Sequence, residues 1–127
     1  MVANEILKTA TAFMFESPTN DVDFHTFFPV LLNLVVAEAL PYENAYRAAN
    51  GMNELPSAPV IDSVDTEVDY CDAICRTALP YGVASYFWQD ENNEYRAQDF
   101  RGRYIEALKE ASRAVAMDAT DEYKTEE

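Results

Sequence analysis

The chain has 127 residues, enough for one domain around a single hydrophobic core. Its apolar residues (49%) and aromatic residues (13%) exclude a disordered chain, and its three glycines are too few for the turns of a typical all-β fold. The 23 acidic and 9 basic residues give a net charge of −14, which argues against DNA binding unless the bases gather on one face.

The first predicted helix covers residues 4–16. Asn4 has the side chain of a helix N-cap, and Ser17-Pro18 ends the helix because the residue before a proline avoids the helical conformation. The apolar positions recur at helical spacing and predict one buried face: Ile6, Ala10, Phe13 and Met14.

The second predicted helix has the strongest apolar stripe. It begins either near Thr26, which places Pro29 in the first turn, or near Asn20, in which case Pro29 kinks it. Pro41 either ends the helix or bends it, and the short helix that follows is closed by a left-handed cap at Gly51. The residues predicted to face the core are Phe24, Phe27, Phe28, Leu31, Leu32, Val35 and Ala39.

Residues 51–65 form a long predicted loop. No helical period survives there, Pro56 and Pro59 exclude a helix, and residues 60–61 predict a brief extended segment. A loop of this length inside a compact domain is uncommon and often functional. We therefore take its apolar residues as candidate interface residues: Leu55, Val60 and Ile61.

The third predicted helix covers residues 66–89. Thr66 with Asp69 resembles a capping box, which would start the helix at that point. Pro80 should bend the helix, and Gly82 should let a neighbouring helix approach closely.

The last predicted helix covers residues 94–117 and is capped by the polar segment 90–93. Residues 118–127 predict a flexible acidic tail, in which Tyr123 is a further candidate interface residue. The predicted architecture is an all-α bundle of four main helices, with a helical domain at 1–117. At its centre we expect two stripes to meet: Phe100, Tyr104 and Leu108 against Cys75, Leu79 and Val83.

No recognisable active site is present in the sequence. His25 is the only histidine, and no nucleophile lies in a known catalytic signature. Cys71 and Cys75 lie one helical turn apart, which suits one buried helix face better than a disulfide or a four-ligand zinc site. The acidic residues 62–72 lack the glycine and the spacing of an EF-hand calcium loop. We therefore expect no enzyme activity, no cofactor and no metal.

We expect neither a membrane span nor an export signal. The longest apolar run, residues 27–37, is shorter than the roughly 20 residues that cross a bilayer. Residues 1–7 lack the basic and apolar regions of a signal peptide. The aromatic segment 81–88 is more typical of a core than of a ligand pocket, although part of it could serve as a subunit interface.

Several segments follow one another in an order that is typical of one family. They are Phe28-Pro29-Val30-Leu31-Leu32-Asn33, Tyr42-Glu43-Asn44-Ala45-Tyr46-Arg47, Ala78-Leu79-Pro80-Tyr81-Gly82, Asp90-Glu91-Asn92 and Phe100-x-x-x-Tyr104. The chain thereby resembles, over residues 20–114, the head–tail adaptor proteins of tailed bacteriophages, also called head-completion or connector proteins.

The resemblance implies a helical protein that assembles as a homo-oligomeric ring, commonly of twelve subunits, beneath the portal protein. Its implied partners are the portal and a tail or tail-completion protein, and DNA passes through the ring without specific binding. The implied location is the head–tail junction of the virion, and the host cytoplasm during assembly. The acidity of the chain fits, because a negative channel keeps DNA from sticking.

Two other functions stay open on the sequence alone. One is a different acidic helical interaction protein, either another virion component or an inhibitor that mimics DNA. The other is a small-molecule-binding or enzymatic domain that uses the aromatic segment 81–88. The oligomeric state and the charge of the partner distinguish these functions from a ring-forming adaptor.

Overall fold

The described part of the chain folds into four α-helices and one π-helical turn. The computed structural model describes residues 1–14 and 22–125, with side chains for residues 1–14 and 26–112. The helices are α1 (Ala3–Phe13), α2 (Val22–Ala49), α3 (Leu79–Asp90) and α4 (Glu94–Thr125), and the π turn (Ile74–Ala78) directly precedes α3. Over these residues the only extended pairing is one isolated bridge, between Val2 and Glu67, so the predicted all-α fold is confirmed.

The centre of the core is the contact between α3 and α4, the most extensive helix–helix contact in the described residues. Gly82 permits this packing, since a Cβ there would lie 2.8 Å from Val35 Cγ1 and 3.0 Å from Tyr104 Cε1. The Tyr104 hydroxyl donates a 3.0 Å hydrogen bond to the Val35 carbonyl, which connects α4 to α2. The residues predicted for this centre are all buried: Cys75, Leu79, Val83, Phe100, Tyr104 and Leu108.

The π turn lies directly before Pro80, where the sequence predicts a bend. The Leu79 N–H bonds the Ile74 carbonyl five residues back, which is the hydrogen-bond spacing of a π-helix. Pro80 itself lies in the first turn of α3, where the missing N–H of a proline is tolerated. The change from π to α spacing therefore falls at the proline.

α2 is a single helix that passes through both Pro29 and Pro41. It begins at Val22, close to the earlier of its two predicted starts. Of the two alternatives predicted at Pro41, an end or a bend, the end is excluded, because α2 continues to Ala49 with Glu43 and Arg47 on its buried face. The loss of one backbone hydrogen bond is not enough to end a helix that is held along its length by packing.

Two helix termini have the capping residues that the sequence predicts. Gly51 has a φ of 70°, and the Met52 N–H bonds the Arg47 carbonyl at 2.8 Å, the pattern of a Schellman cap at the end of α2. At the start of α4, the Asn93 side-chain oxygen accepts a 3.1 Å hydrogen bond from the Arg96 N–H.

The predicted helix start at Thr66 is wrong, because residues 66–68 pair with the first residues of the chain. The Ala3 N–H bonds the Thr66 carbonyl and the Val68 N–H bonds the Met1 carbonyl, each at 2.9 Å. The Met1 ammonium also forms a 2.6 Å ion pair with Glu67. Since these backbone groups bond a distant segment, regular helix begins only after Cys71.

α4 does not end at residue 117 as predicted, since its helical backbone continues to Thr125. The first eight residues of the predicted tail, 118–125, are therefore part of α4. The side chain of Tyr123 lies outside the described residues, as does that of His25. Their predicted roles stay predictions.

Candidate interaction surface

Two asparagines of α2 hold the long loop against the helix. Asn33 donates from Nδ2 to the Ile61 carbonyl at 3.0 Å and accepts from the Ile61 N–H at 2.7 Å. Asn44 makes the same pair of bonds to Leu55, at 3.0 and 2.8 Å. Each amide thus bonds both backbone groups of one loop residue, as a neighbouring strand would. The loop is consequently a fixed part of the molecule's surface.

A buried ion pair attaches both ends of the loop to α2. Arg47 Nε lies 2.6 Å from Glu43 Oε2, and the two side chains are 10% and 1% exposed. The Arg47 guanidinium also donates to the carbonyls of Asn53 and Asp69, at 3.3 and 2.7 Å. Glu43 Oε1 accepts a 2.7 Å bond from the Cys71 N–H. The charges are therefore satisfied by each other and by loop backbone, as burial requires.

The predicted interface residues have different positions. Ile61 is only 2% exposed and belongs to the core, while Leu55 is half-buried against it. Val60 is 71% exposed and lies next to the residue that Asn33 holds, so it is beside α2 at the surface. Of the three loop residues, Val60 alone presents a large apolar side chain to a partner.

The outward side of α2 is apolar apart from Glu38, one turn after Leu34, whose side chain is 32% exposed and paired with Arg101. Phe27, Val30 and Leu34 are 59%, 57% and 46% exposed and lie on one side of the helix at a spacing of three and four residues. Phe27 was predicted to face the core, and that prediction is wrong. We call the exposed residues of α2 from Phe27 onward, together with Val60 of the loop, the uncharged face. The α2 residues of this face are Phe27, Val30, Leu34, Ala37, Pro41, Ala45, Ala48 and Ala49.

The uncharged face is unusual for this chain. In residues 26–60, all of whose side chains the structure describes, Glu54 is the single exposed charged residue. The exposed carboxylates of the other described residues lie on α1, the segment 62–72, α3 and α4: Glu5, Asp62, Asp65, Glu67, Asp69, Asp72, Asp90, Glu91, Glu94, Asp99, Glu106 and Glu110. A contiguous exposed apolar surface of this kind is a candidate interaction site.

The uncharged face has a defined edge on each side. One edge is the loop, which Asn33 and Asn44 hold. At the other edge, Arg101 Nη2 forms a 2.7 Å ion pair with Glu38 Oε2, and the Tyr86 hydroxyl donates a 3.1 Å bond to Glu38 Oε1. Burial and the Glu38 carboxylate raise the pKa of Tyr86, so this hydroxyl remains protonated as a donor. The edge is neutral, since the two charges compensate.

The aromatic segment 81–88 is used mainly inside the protein. Tyr81 stacks on Phe13 with 4.8 Å between ring centroids, which joins α3 to α1. An open polar groove of about 850 Å³ lies between α3 and α4, but two of its lining residues, Tyr86 and Arg101, already bond Glu38. The segment thus contributes packing, as predicted, and the groove is lined mainly by polar side chains: Ser85, Tyr86, Gln89, Asn92, Glu94, Gln98 and Arg101.

In the described part of the chain, no helix combines the length and hydropathy that crossing a bilayer requires. The same residues bring no three His, Cys, Asp or Glu side chains together as a possible metal site. Comparisons with protein-family models, with curated proteins and with solved structures gave no match to this chain.

Proposed function

We propose that the chain is an assembly protein of the head–tail adaptor type, which joins the head of a tailed bacteriophage to its tail. In this proposal it forms a ring, commonly of twelve subunits, beneath the portal protein, and also contacts a tail or tail-completion protein. The observation that carries the proposal is the uncharged face with its exposed Phe27, Val30 and Leu34. It is a surface suited to binding another protein.

The distribution of charge supports a place beside DNA. With a net charge of −14, the chain repels the phosphate backbone instead of releasing its counterions. Twelve of the described exposed carboxylates lie on elements other than α2, so one side can contact protein while another faces the DNA channel. Such a channel lets DNA slide through without adhering.

The test uses DNA-filled heads that carry the portal but lack this chain. Adding the purified chain should allow tails to join, and electron microscopy counts the complete particles. Val60→Asp should lower that count, because it places a carboxylate on the exposed loop edge of the contact surface. Gln98→Asp, at an exposed position of α4, is the matched control and should leave the count unchanged.

Two results would reject the adaptor proposal. One is that adding the wild-type chain does not raise the number of complete particles. The other is tight binding of the chain to a basic nucleic-acid-binding protein, with DNA competing against the chain for that protein. This result would favour the DNA-mimic inhibitor. The exposed acidic segment 62–72 would then be the contact, and Val60→Asp would have no effect.

A further inference from the structure

The uncharged face is self-complementary in shape. Its residues recur every three or four positions along α2, the spacing of a helix–helix seam. The large side chains lie in the first half of the stripe and the small ones in the second half. When a copy of α2 is reversed end to end, large residues face small ones about a centre beside Ala37: Phe27 opposite Ala48, Val30 opposite Ala45, and Leu34 opposite Pro41.

From this pattern we propose that the uncharged face binds a second copy of the chain, with the two α2 helices antiparallel about a two-fold axis. In an isologous contact the same patch is used on both partners, so residue i meets j and j meets i. Interfaces and cores pack well when large and small side chains face each other in this way. The sequence of α2 meets that requirement at three successive layers.

Electrostatics favour a second copy over other occupants. Two chains of −14 repel each other wherever their carboxylates approach. Residues 26–60 carry one exposed charged residue, Glu54, and the charge of the partly exposed Glu38 is compensated by Arg101. A basic partner would gain more from the acidic remainder of the surface. A two-fold axis in the interface plane also places equivalent edges of the two copies side by side. The loop of one copy then meets the loop of the other, and one neutral Glu38–Arg101 pair meets the other.

The size of the face is also compatible with a dimer. Residues 27–48 of a helix extend over about 30 Å, and a helix with its side chains is about 10–12 Å wide, so α2 alone offers about 300 Å², to which the adjoining loop adds. A standard interface buries about 800 Å² on each partner. The face is therefore below that value and predicts a weak, reversible dimer.

The pair is distinct from the proposed ring. An isologous contact closes on itself, whereas a ring needs two different patches on each subunit. The dimer is therefore a form of the free chain, in which the second copy covers the apolar residues. During assembly, another partner replaces the second copy on this face. The inference does not depend on the adaptor proposal, because it concerns the free chain.

The test is the sedimentation of the purified full chain at about 1 M salt, where the Debye length of about 3 Å screens the net charge. The wild type should form a dimer. Val30→Glu should weaken dimerisation about 100-fold, because each pair would bury two unpaired carboxylates. Val30 is 57% exposed in the single chain, so the fold should persist, and circular dichroism checks this.

A second substitution tests the antiparallel geometry. Ala45→Lys added to Val30→Glu should restore the dimer, since each new carboxylate would face a new ammonium across the two-fold axis. Fifteen positions of helix, about 22 Å, separate the two residues within one chain, so an internal pair cannot form. Tyr95→Glu, at an 83% exposed apolar residue of α4, is the matched control and should dimerise like the wild type.

Any of three outcomes overturns the inference. They are a wild-type chain that stays monomeric, a Val30→Glu chain that dimerises normally, and a double variant that is not restored. If the dimer behaves as expected but the chain does not join tails to heads, the adaptor proposal fails and the inference stands. If tails join and the dimer is absent, the inference fails alone.

Discussion

The close approach of α2, α3 and α4 depends on the absence of a side chain at Gly82. A Cβ at this position would lie 2.8 Å from Val35 Cγ1 and 3.0 Å from the Tyr104 ring, both buried and held by neighbours. Gly82→Ala should therefore lower the free energy of unfolding by about 1–3 kcal/mol, as overpacking of a core does. The urea midpoint measures this change.

Gly102 provides the matched control on α4, because a Cβ there would meet no atom within 4 Å. Gly102→Ala should raise the free energy of unfolding by about 0.5–1 kcal/mol, through the helix propensity of alanine. Equal effects of the two substitutions would contradict the packing described for Gly82.

Arg47 allows a second comparison between matched residues. Arg47→Met leaves the carboxylate of Glu43, 1% exposed, without its cation and removes two bonds to loop carbonyls. We expect a loss of about 3–5 kcal/mol, typical of breaking one side of a buried pair. Arg103→Met breaks an exposed ion pair with Asp99 and should cost less than about 1 kcal/mol. Thermal unfolding of both variants tests whether breaking the buried ion pair lowers the free energy of unfolding more than breaking the exposed one.

Among the elements, the loop after α2 depends on the side chains of that helix for its position. Asn44→Ala removes both hydrogen bonds to Leu55 and leaves its partly buried backbone groups unpaired. The Leu55 amide should then exchange with deuterium at least tenfold faster, for a local cost of about 1–3 kcal/mol. Asn50→Ala is the control, since its side chain bonds only the Tyr46 carbonyl within α2. Unchanged exchange at Leu55 would show that packing, not Asn44, holds the loop.

Local signals in the sequence correctly predict several elements. The cap at Gly51, the cap at Asn93 and the core stripe of α4 each follow from residues within one or two turns. The extended conformation of residues 66–68 could not be predicted in this way, because their backbone partners are Met1 and Ala3, more than 60 positions away. Tertiary hydrogen bonds there override the local helical period.

The interaction surface was missed in the sequence for a related reason. α2 is apolar on two sides, so its periodicity does not tell which side is buried, and Phe27 was assigned to the core. Burial of Glu43 and Arg47 on the inner side decides the orientation. The available signal was that two of the three charged residues between Phe27 and Ala49, Glu43 and Arg47, lie one turn apart on the side of the helix opposite the exposed apolar residues.

At the scale of the whole molecule, the net charge of −14 opposes every self-contact, while the uncharged face favours one. The Debye length falls from about 30 Å at 0.01 M salt to about 3 Å at 1 M, so added salt removes most of the repulsion. Apolar contacts are not weakened by this screening. We therefore expect dimerisation to strengthen by tenfold or more between these concentrations, as measured by sedimentation. Ion pairs between the acidic residues and the few bases would respond in the opposite direction, so an interface built on them would dissociate as salt is added. A dimer that weakens with salt would place the contact on the charged surface and exclude the uncharged face.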